Sequence, residues 1–564
     1  MSPANNQESL ATIRVTLPDQ RVIHCDPRTT AGELLADAYP ADPELPVLGA
    51  LVNNDVVSLT FPLEVDSAVV PLTMKDSHGW RIYRRSLAFI LAKAVKDLYP
   101  DARFSIEHSL GSGLYCSFEQ AGSMEITEDQ VNAIADQLQA LVAANHPVQR
   151  HKLSFTQAVQ RFEQEGQWDK YSLLRFRNPP KIVVYSCDGF TDLSHGPLAP
   201  CTGCLAHFRC IPYPPGFVIQ YPERETAPAM PAFEREPHLF QIFHEHKEWG
   251  RILNVRTAGQ LNEIIVNGEI GDFVKISEAY HEKKIAQLAD TIVDQRDAIK
   301  WICIAGPSSS GKTTFSKRLA VQLRVNGMRP VTISVDDYFV QRELTPRDAD
   351  GNYDFEHIET IDLPLFNEHL EKLDAGEEVE LPKFNFTLGA REFKGDTLQI
   401  APDQFVIVEG IHALNPRLTQ AIPAAHKFKI YVSALTQLNL DTNTRVSTTD
   451  NRLVRRMVRD HQFRGNSALG TLQMWPSVRR GEKRWIFPYQ READAAFNSA
   501  LDYELGALKN LAEPLLREVK PHHVEYAEAR RLLDFLECFL AIPLGQIPPT
   551  SIVREFIGRS GFRY

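Results

Sequence analysis

The run Gly306, Pro307, Ser308, Ser309, Ser310, Gly311, Lys312, Thr313, Thr314 has the spacing of a phosphate-cradling loop, two glycines followed by a lysine and hydroxyls. Its glycines let backbone N–H groups turn toward phosphate oxygens. Lys312 can reach the terminal phosphates of ATP, and the Thr313 hydroxyl can serve Mg2+. Downstream, RPVTISVDDYF runs out at Asp336 and Asp337, and DQFVIVEG runs out at Glu409. Paired carboxylates at a strand end can take the proton of an incoming hydroxyl. A lone acid after an apolar run can hold the metal or its water. From Arg452 to Arg491 ten basic residues face only Asp460 and Glu482, which predicts a lid of guanidinium groups closing over a triphosphate. The chemistry these residues could do is phosphoryl transfer.

Such groups must be held by alternating strands and helices. WICIAG before the glycine loop reads as a short apolar strand. TFSKRLAVQLRVNG after it puts Phe315, Leu319 and Leu323 on one helical face. With RPVTISVDDYF, DQFVIVEG and HKFKIYVS as further strands, the region predicts a parallel sheet with helices on both faces.

The chain has 564 residues, 43% hydrophobic and 24% charged, ordinary globular usage that excludes a mainly disordered or collagenous chain. Its length exceeds one core, so three or four domains are expected. A net charge of -11 disfavours a protein that coats nucleic acid. The opening residues lack a basic, then apolar, leader, and no run of 18 apolar residues occurs, so no membrane association and a cytoplasmic location are expected. Eight sparse cysteines read as reduced thiols.

GPSSSGKTT, SVDDYF, NYDFEHIETID, LPKFNF, VIVEGIHAL and RLVRRMVRD occur in the order and at the spacing of the uridine kinase and phosphoribulokinase group of P-loop kinases, which residues 298–515 resemble. The resemblance implies that Asp336 is the base beside a ribose 5′-hydroxyl and that Asp354 binds ribose hydroxyls. By the same likeness Arg456 and Arg459 belong to the lid, Thr313, Asp336 and Glu409 surround Mg2+, and Asp494 is an acid on the adenine side. The chain departs from the family's pyrimidine readers, with Phe384 and Gly389 where that group carries Tyr and His, and with Asn466 in place of an Arg. A stacking ring remains but the polar reader does not, so the implied substrate is a nucleoside whose base is unassigned.

Residues 1–75, with TIRVTLPDQRVIHCDPRTTAGELLADA, resemble a TGS domain, a small ubiquitin-like β-grasp fold. Residues 76–220 resemble the editing-type α+β module of threonyl-tRNA synthetases through YRRSLAFILAKAVKDLYP and YSCDGFTDLSHGPLAPCTG. At the four polar positions of that module the chain carries Arg85, Phe89, Ser194 and Leu198, which implies a scaffold or binding module without editing activity. Cys201, Cys204, His207 and Cys210 fit zinc spacing poorly and read instead as small buried thiols. Residues 221–297 read as an exposed Pro-rich linker followed by helices. Residues 516–564 read as a helix and tail packing on the kinase or on a partner subunit of a homo-oligomer. The favoured expectation is an ATP:nucleoside 5′-phosphotransferase. The alternatives are a nucleotide-responsive regulator with an RNA- or translation-binding front, and a kinase of a sugar or sugar phosphate.

Overall fold

The computed structural model describes residues 12–348, 351–385, 388–401 and 403–563; Phe386 of the LPKFNF motif lies outside them. Strands Ile13–Thr16, Val22–Cys25, Gly49–Val52, Asp55–Val57 and Ser67–Leu72 form one sheet in the order second, first, fifth, third, fourth. Helix Ala31–Ala38 crosses it, opened by a reciprocal cap between Thr30 and Glu33. Val15, Leu34, Leu35 and Val69 fill the small core between them. Next comes helix Ser77–Leu98. It packs with helix Glu128–Ala144 and a four-stranded antiparallel sheet in the order Arg209–Tyr213, Gly216–Gln220, Gly113–Glu119, Arg103–Leu110.

The segment expected to be an exposed linker is pinned at its start. Trp80 Nε1 donates to the Pro222 carbonyl at 2.9 Å, and Tyr221 and Ala227 are buried in the core of the module before it.

The second half is built on five parallel strands, β1 (Trp301–Ala305), β2 (Val331–Ser334), β3 (Val406–Glu409), β4 (Lys427–Ser433) and β5 (Ala495–Asn498). Their order across the sheet is β2-β3-β1-β4-β5. Every residue of β1 and β3 is buried, as a parallel sheet covered on both faces requires. Helix α1 (Lys312–Val325) follows β1, and α2 (Thr448–Arg464) and α3 (Ala468–Trp485) lie between β4 and β5. Ser447 and Ser467 cap the latter two, accepting from the N–H groups of Asp450 and Gly470.

One hydrophobic core joins this sheet to segments well outside it. Ile304 and Phe315 share it with Val274, Ile285, Leu516, Leu532, Ile552 and Phe556. The expected division after residue 515 therefore falls inside a packed core. Among the described residues no helix is long and apolar enough to cross a membrane.

Candidate active site

The glycine loop leaves the carboxyl end of β1, the central strand, where parallel sheets gather ligands. A Cβ on Gly306 would stand 2.1 Å from the Val432 carbonyl oxygen, so only glycine lets the loop pass β4. Gly311 has φ 82° and caps α1. Lys312, Thr313 and Thr314 then open the helix with N–H groups that its own carbonyls cannot satisfy.

Three adjacent strand ends bring the predicted acids to this lysine. Lys312 Nζ lies 3.8 Å from Glu409 Oε1. Burial pushes the Glu409 carboxyl up to about 7. Lys312 and a hydrogen bond from Thr313 oppose that rise, and the charges of Asp336 and Glu555 add to it. Asp336 and Asp337 sit in the turn Val335–Tyr338 after β2, and the structure separates the pair. Asp337 accepts from Lys383 Nζ at 3.1 Å and from the Phe384 N–H at 3.3 Å, tying the hairpin Val379–Asn385/Ala390–Leu398 to the sheet. Asp336 has no hydrogen bond or ion pair among the described residues. Phe384 packs edge-on against Phe339, with ring centroids 5.4 Å apart.

The basic segment is not the open field of guanidinium groups that its composition predicts. Its two helices are packed, and most of the cations already have partners. Buried Arg452 pairs with buried Glu482, Arg455 with Glu504, Arg479 with Glu482 and Arg480 with Asp348. Arg456 Nη1 donates to Ser308 Oγ at 2.7 Å, and both Nε and Nη2 of Arg459 donate to Asp460 Oδ1. Asp354 lies in the loop against α3, where a Cβ on Gly481 would come 3.3 Å from its Oδ1.

Asp494 precedes the first residue of β5, and its Oδ2 accepts the Lys429 N–H at 2.7 Å. Because β5 pairs only with the later residues of β4, this places Asp494 level with Lys429 and Cys303, midway along β1. Ser499, just past β5, reaches the glycine loop itself, where its Oγ donates to the Ser310 carbonyl.

Three acids absent from the sequence-based site lie within it. Glu482 accepts the Ser308 N–H at 3.2 Å. Glu555, from the short helix Arg554–Ile557, accepts both the Thr314 N–H at 3.1 Å and its hydroxyl at 2.7 Å. Carboxylates thus occupy donors at both ends of the phosphate loop, with Ile552 buried near Gly311 and the Arg455 guanidinium 4.9 Å from the Phe556 ring centre. Glu356, of NYDFEH, is buried with Oε2 unpaired. Burial, reinforced by Glu482 and opposed by Arg456, Lys312 and Arg452, pushes it up to about 7. In the sequence Glu482 is a minor subtraction from a basic run, and Glu555 stands more than 240 residues from the loop it meets. Away from this site, the Cys201 and Cys204 thiols lie 3.5 Å apart, while Cys204 and Cys210 pack against the second core.

Comparison with known proteins divides the chain as the sheets do. Residues 301–505 match the Phosphoribulokinase / Uridine kinase family. The N-terminal region is 33% identical over 200 residues to the threonine–tRNA ligase of Paraburkholderia xenovorans and 32% identical over 200 residues to that of Desulforamulus reducens. Each match covers 35% of this chain and 31% of the ligase, so the chain spans about a third of the length of these relatives. Among solved structures, a possible uridine kinase from Bacillus stearothermophilus is 20% identical, covering 38% of this chain and 98% of that one, with a TM-score of 0.27. Residues 301–505 are thus a P-loop kinase domain of the phosphoribulokinase and uridine kinase family, behind a region similar to part of the threonine–tRNA ligases.

Proposed function

We infer that the chain transfers the terminal phosphoryl group of ATP to the 5′-hydroxyl of a nucleoside. The observation that carries this reading is the convergence of Lys312, Thr313, Asp336 and Glu409 at the carboxyl ends of three neighbouring strands, with Asp336 in no hydrogen bond or ion pair among the described residues while Asp337 is spent on the hairpin. In this reading Asp336 takes the hydroxyl proton as the oxygen attacks, and Asp354 and Arg456 orient the acceptor. Lys312, Arg456 and Arg459 offset charge on the transferring group.

Two carboxylates and a hydroxyl, Asp336, Glu409 and Thr313, suit Mg2+, which takes one or two protein carboxylates and fills its remaining positions with water and phosphate oxygens. The raised Glu409 carboxyl, buried near two other acids, fits a position completed by a cation. A Mg2+ ion held by Thr313, Asp336 and Glu409 would supply positive charge to offset that of the phosphate groups.

The test is a screen of nucleosides and simple sugars for ATP consumption, with mass detection of the product. Asp336→Asn should retain ATP binding and lose at least about a hundredfold in turnover, the scale of one general base. Full turnover in that variant would overturn the assignment.

A sugar or sugar-phosphate acceptor is the second reading, and one contact favours it. The Arg342 side chain packs over Gly389, the position of the lost polar reader, with Nε 2.7 Å from where a Cβ would stand. A guanidinium there suits an anionic acceptor better than a neutral base.

A further inference from the structure

A cavity of about 1560 Å3 lies between the synthetase-like front and the kinase sheet. Its wall includes Arg84, Arg85 and Phe89 from helix Ser77–Leu98 on one side and Arg445, from the short strand Thr444–Arg445, on the other. It extends to Pro307 of the phosphate loop. The space exceeds the ~300–1,000 Å3 of ordinary small-molecule sites, so it has room for a nucleotide.

The charges around it are unevenly balanced. Arg81 is held by Glu528, and Arg531 by Asp450 and Glu528. Arg84, Arg85 and Arg445 have no carboxylate within ion-pair distance among the described residues. Arg84 lies 4.3 Å from the Trp80 ring centre and 5.1 Å from that of Tyr221, and its Nε is buried without a partner. Among the described residues Arg85 donates only to the Pro197 carbonyl, at 2.9 Å, and Arg445 only to the Val446 carbonyl, at 3.5 Å. Burial lowers both Arg85 and Arg445 to about 10; the charges of Arg531, Arg81 and Arg84 add to this at Arg85 against Tyr185, and that of Arg84 adds to it at Arg445 against Tyr221 and the more distant Asp450.

A part-buried guanidinium without a counter-charge in contact is still costly, and like charges held together add to that cost. A fold retains such a cluster where something else supplies the negative charge. Three cations exceed what one carboxylate can balance, and the planar guanidinium fork matches phosphate oxygens.

We propose that the end of this cavity away from Pro307 is a binding site for a small ligand carrying two or more phosphoryl groups, held by Arg84, Arg85 and Arg445. The site closes across the two halves of the chain, so an occupant would tie the front to the kinase.

The test uses the full chain with Lys312→Ala, which weakens binding at the glycine loop, and titrates it calorimetrically with pyrophosphate, ATP and citrate. Pyrophosphate and ATP should still bind, citrate more weakly than either. Adding Arg84→Gln with Arg445→Gln should weaken pyrophosphate at least tenfold. The same pair of substitutions should raise the melting temperature of the ligand-free chain, because it removes unbalanced charge, whereas arginines serving only as packing would lower it. Arg84→Lys keeps the charge but loses the fork, so it should weaken binding with the ligand-free melting temperature little changed. Loss of all pyrophosphate binding in Lys312→Ala alone overturns the proposal, as does unchanged affinity in the double substitution. Binding of a short 5′-phosphorylated RNA without pyrophosphate or ATP would also overturn it.

Discussion

Replacing Glu555 by alanine removes the carboxylate that holds the Thr314 N–H and hydroxyl. These donors open α1, where phosphate oxygens of a bound nucleotide would take the same bonds. Nucleotide can use them only after displacing Glu555 Oε2, which accepts at 3.1 Å and 2.7 Å. A hydrogen bond to a charged group contributes about 1.5–3 kcal/mol net. If ATP must break one such contact that it only partly replaces, Glu555→Ala should bind ATP roughly 10- to 100-fold more tightly. The assay is calorimetric titration of the full chain with ATP, with and without Mg2+, beside a melt of the ligand-free variant. That melt should fall slightly, since Ile552 and Phe556 stay buried and only the polar latch is lost. Unchanged or weaker ATP binding would refute the reasoning, because Glu555 would then be assisting the nucleotide or its metal rather than competing with it.

Arg452→Met should destabilise the chain by about 3–5 kcal/mol in denaturant unfolding, since it strands Glu482 as a buried charge with only the more exposed Arg479 beside it; adding Glu482→Gln should recover most of the loss. Gly306→Ala should abolish ATP binding or prevent folding, read by titration and circular dichroism, because the added carbon overlaps the Val432 carbonyl. Glu356→Gln should make stability less dependent on pH. The folded carboxyl lies at about 7 against an ordinary 4.5, so the native state keeps a proton that the unfolded chain has released, and wild-type stability falls as pH rises through that window. The variant should gain up to about 3 kcal/mol over wild type above pH 7 and nothing below pH 4.5, measured by melts across pH.

The parts of the site that lie on strand ends were legible because their position follows from local pattern. An apolar run closing on Glu409 or on Asp336 and Asp337 places those acids at the sheet edge wherever the rest of the chain goes. The same local logic could not divide Asp336 from Asp337, since what separates them is a hairpin reaching back from Lys383 and Phe384. It also overstated the lid. Counting charge between Arg452 and Arg491 omits Glu504 and Asp348, which lie outside that window and pair with Arg455 and Arg480. Glu482 and Glu555 are contacts between distant segments, and no period or motif announces them.

The burial of Ile552, Val553 and Phe556 in the core that also holds Ile304 and Phe315 bears on how this kinase can be taken apart. The family match ends at residue 505, within helix Glu504–Arg517, yet a cut there would open an apolar seam along α2 and the glycine loop. The kinase is therefore no portable cassette. A shortened gene that keeps every strand of the sheet would still yield a protein prone to clump through that seam, and its silence in an activity assay would say nothing about its chemistry.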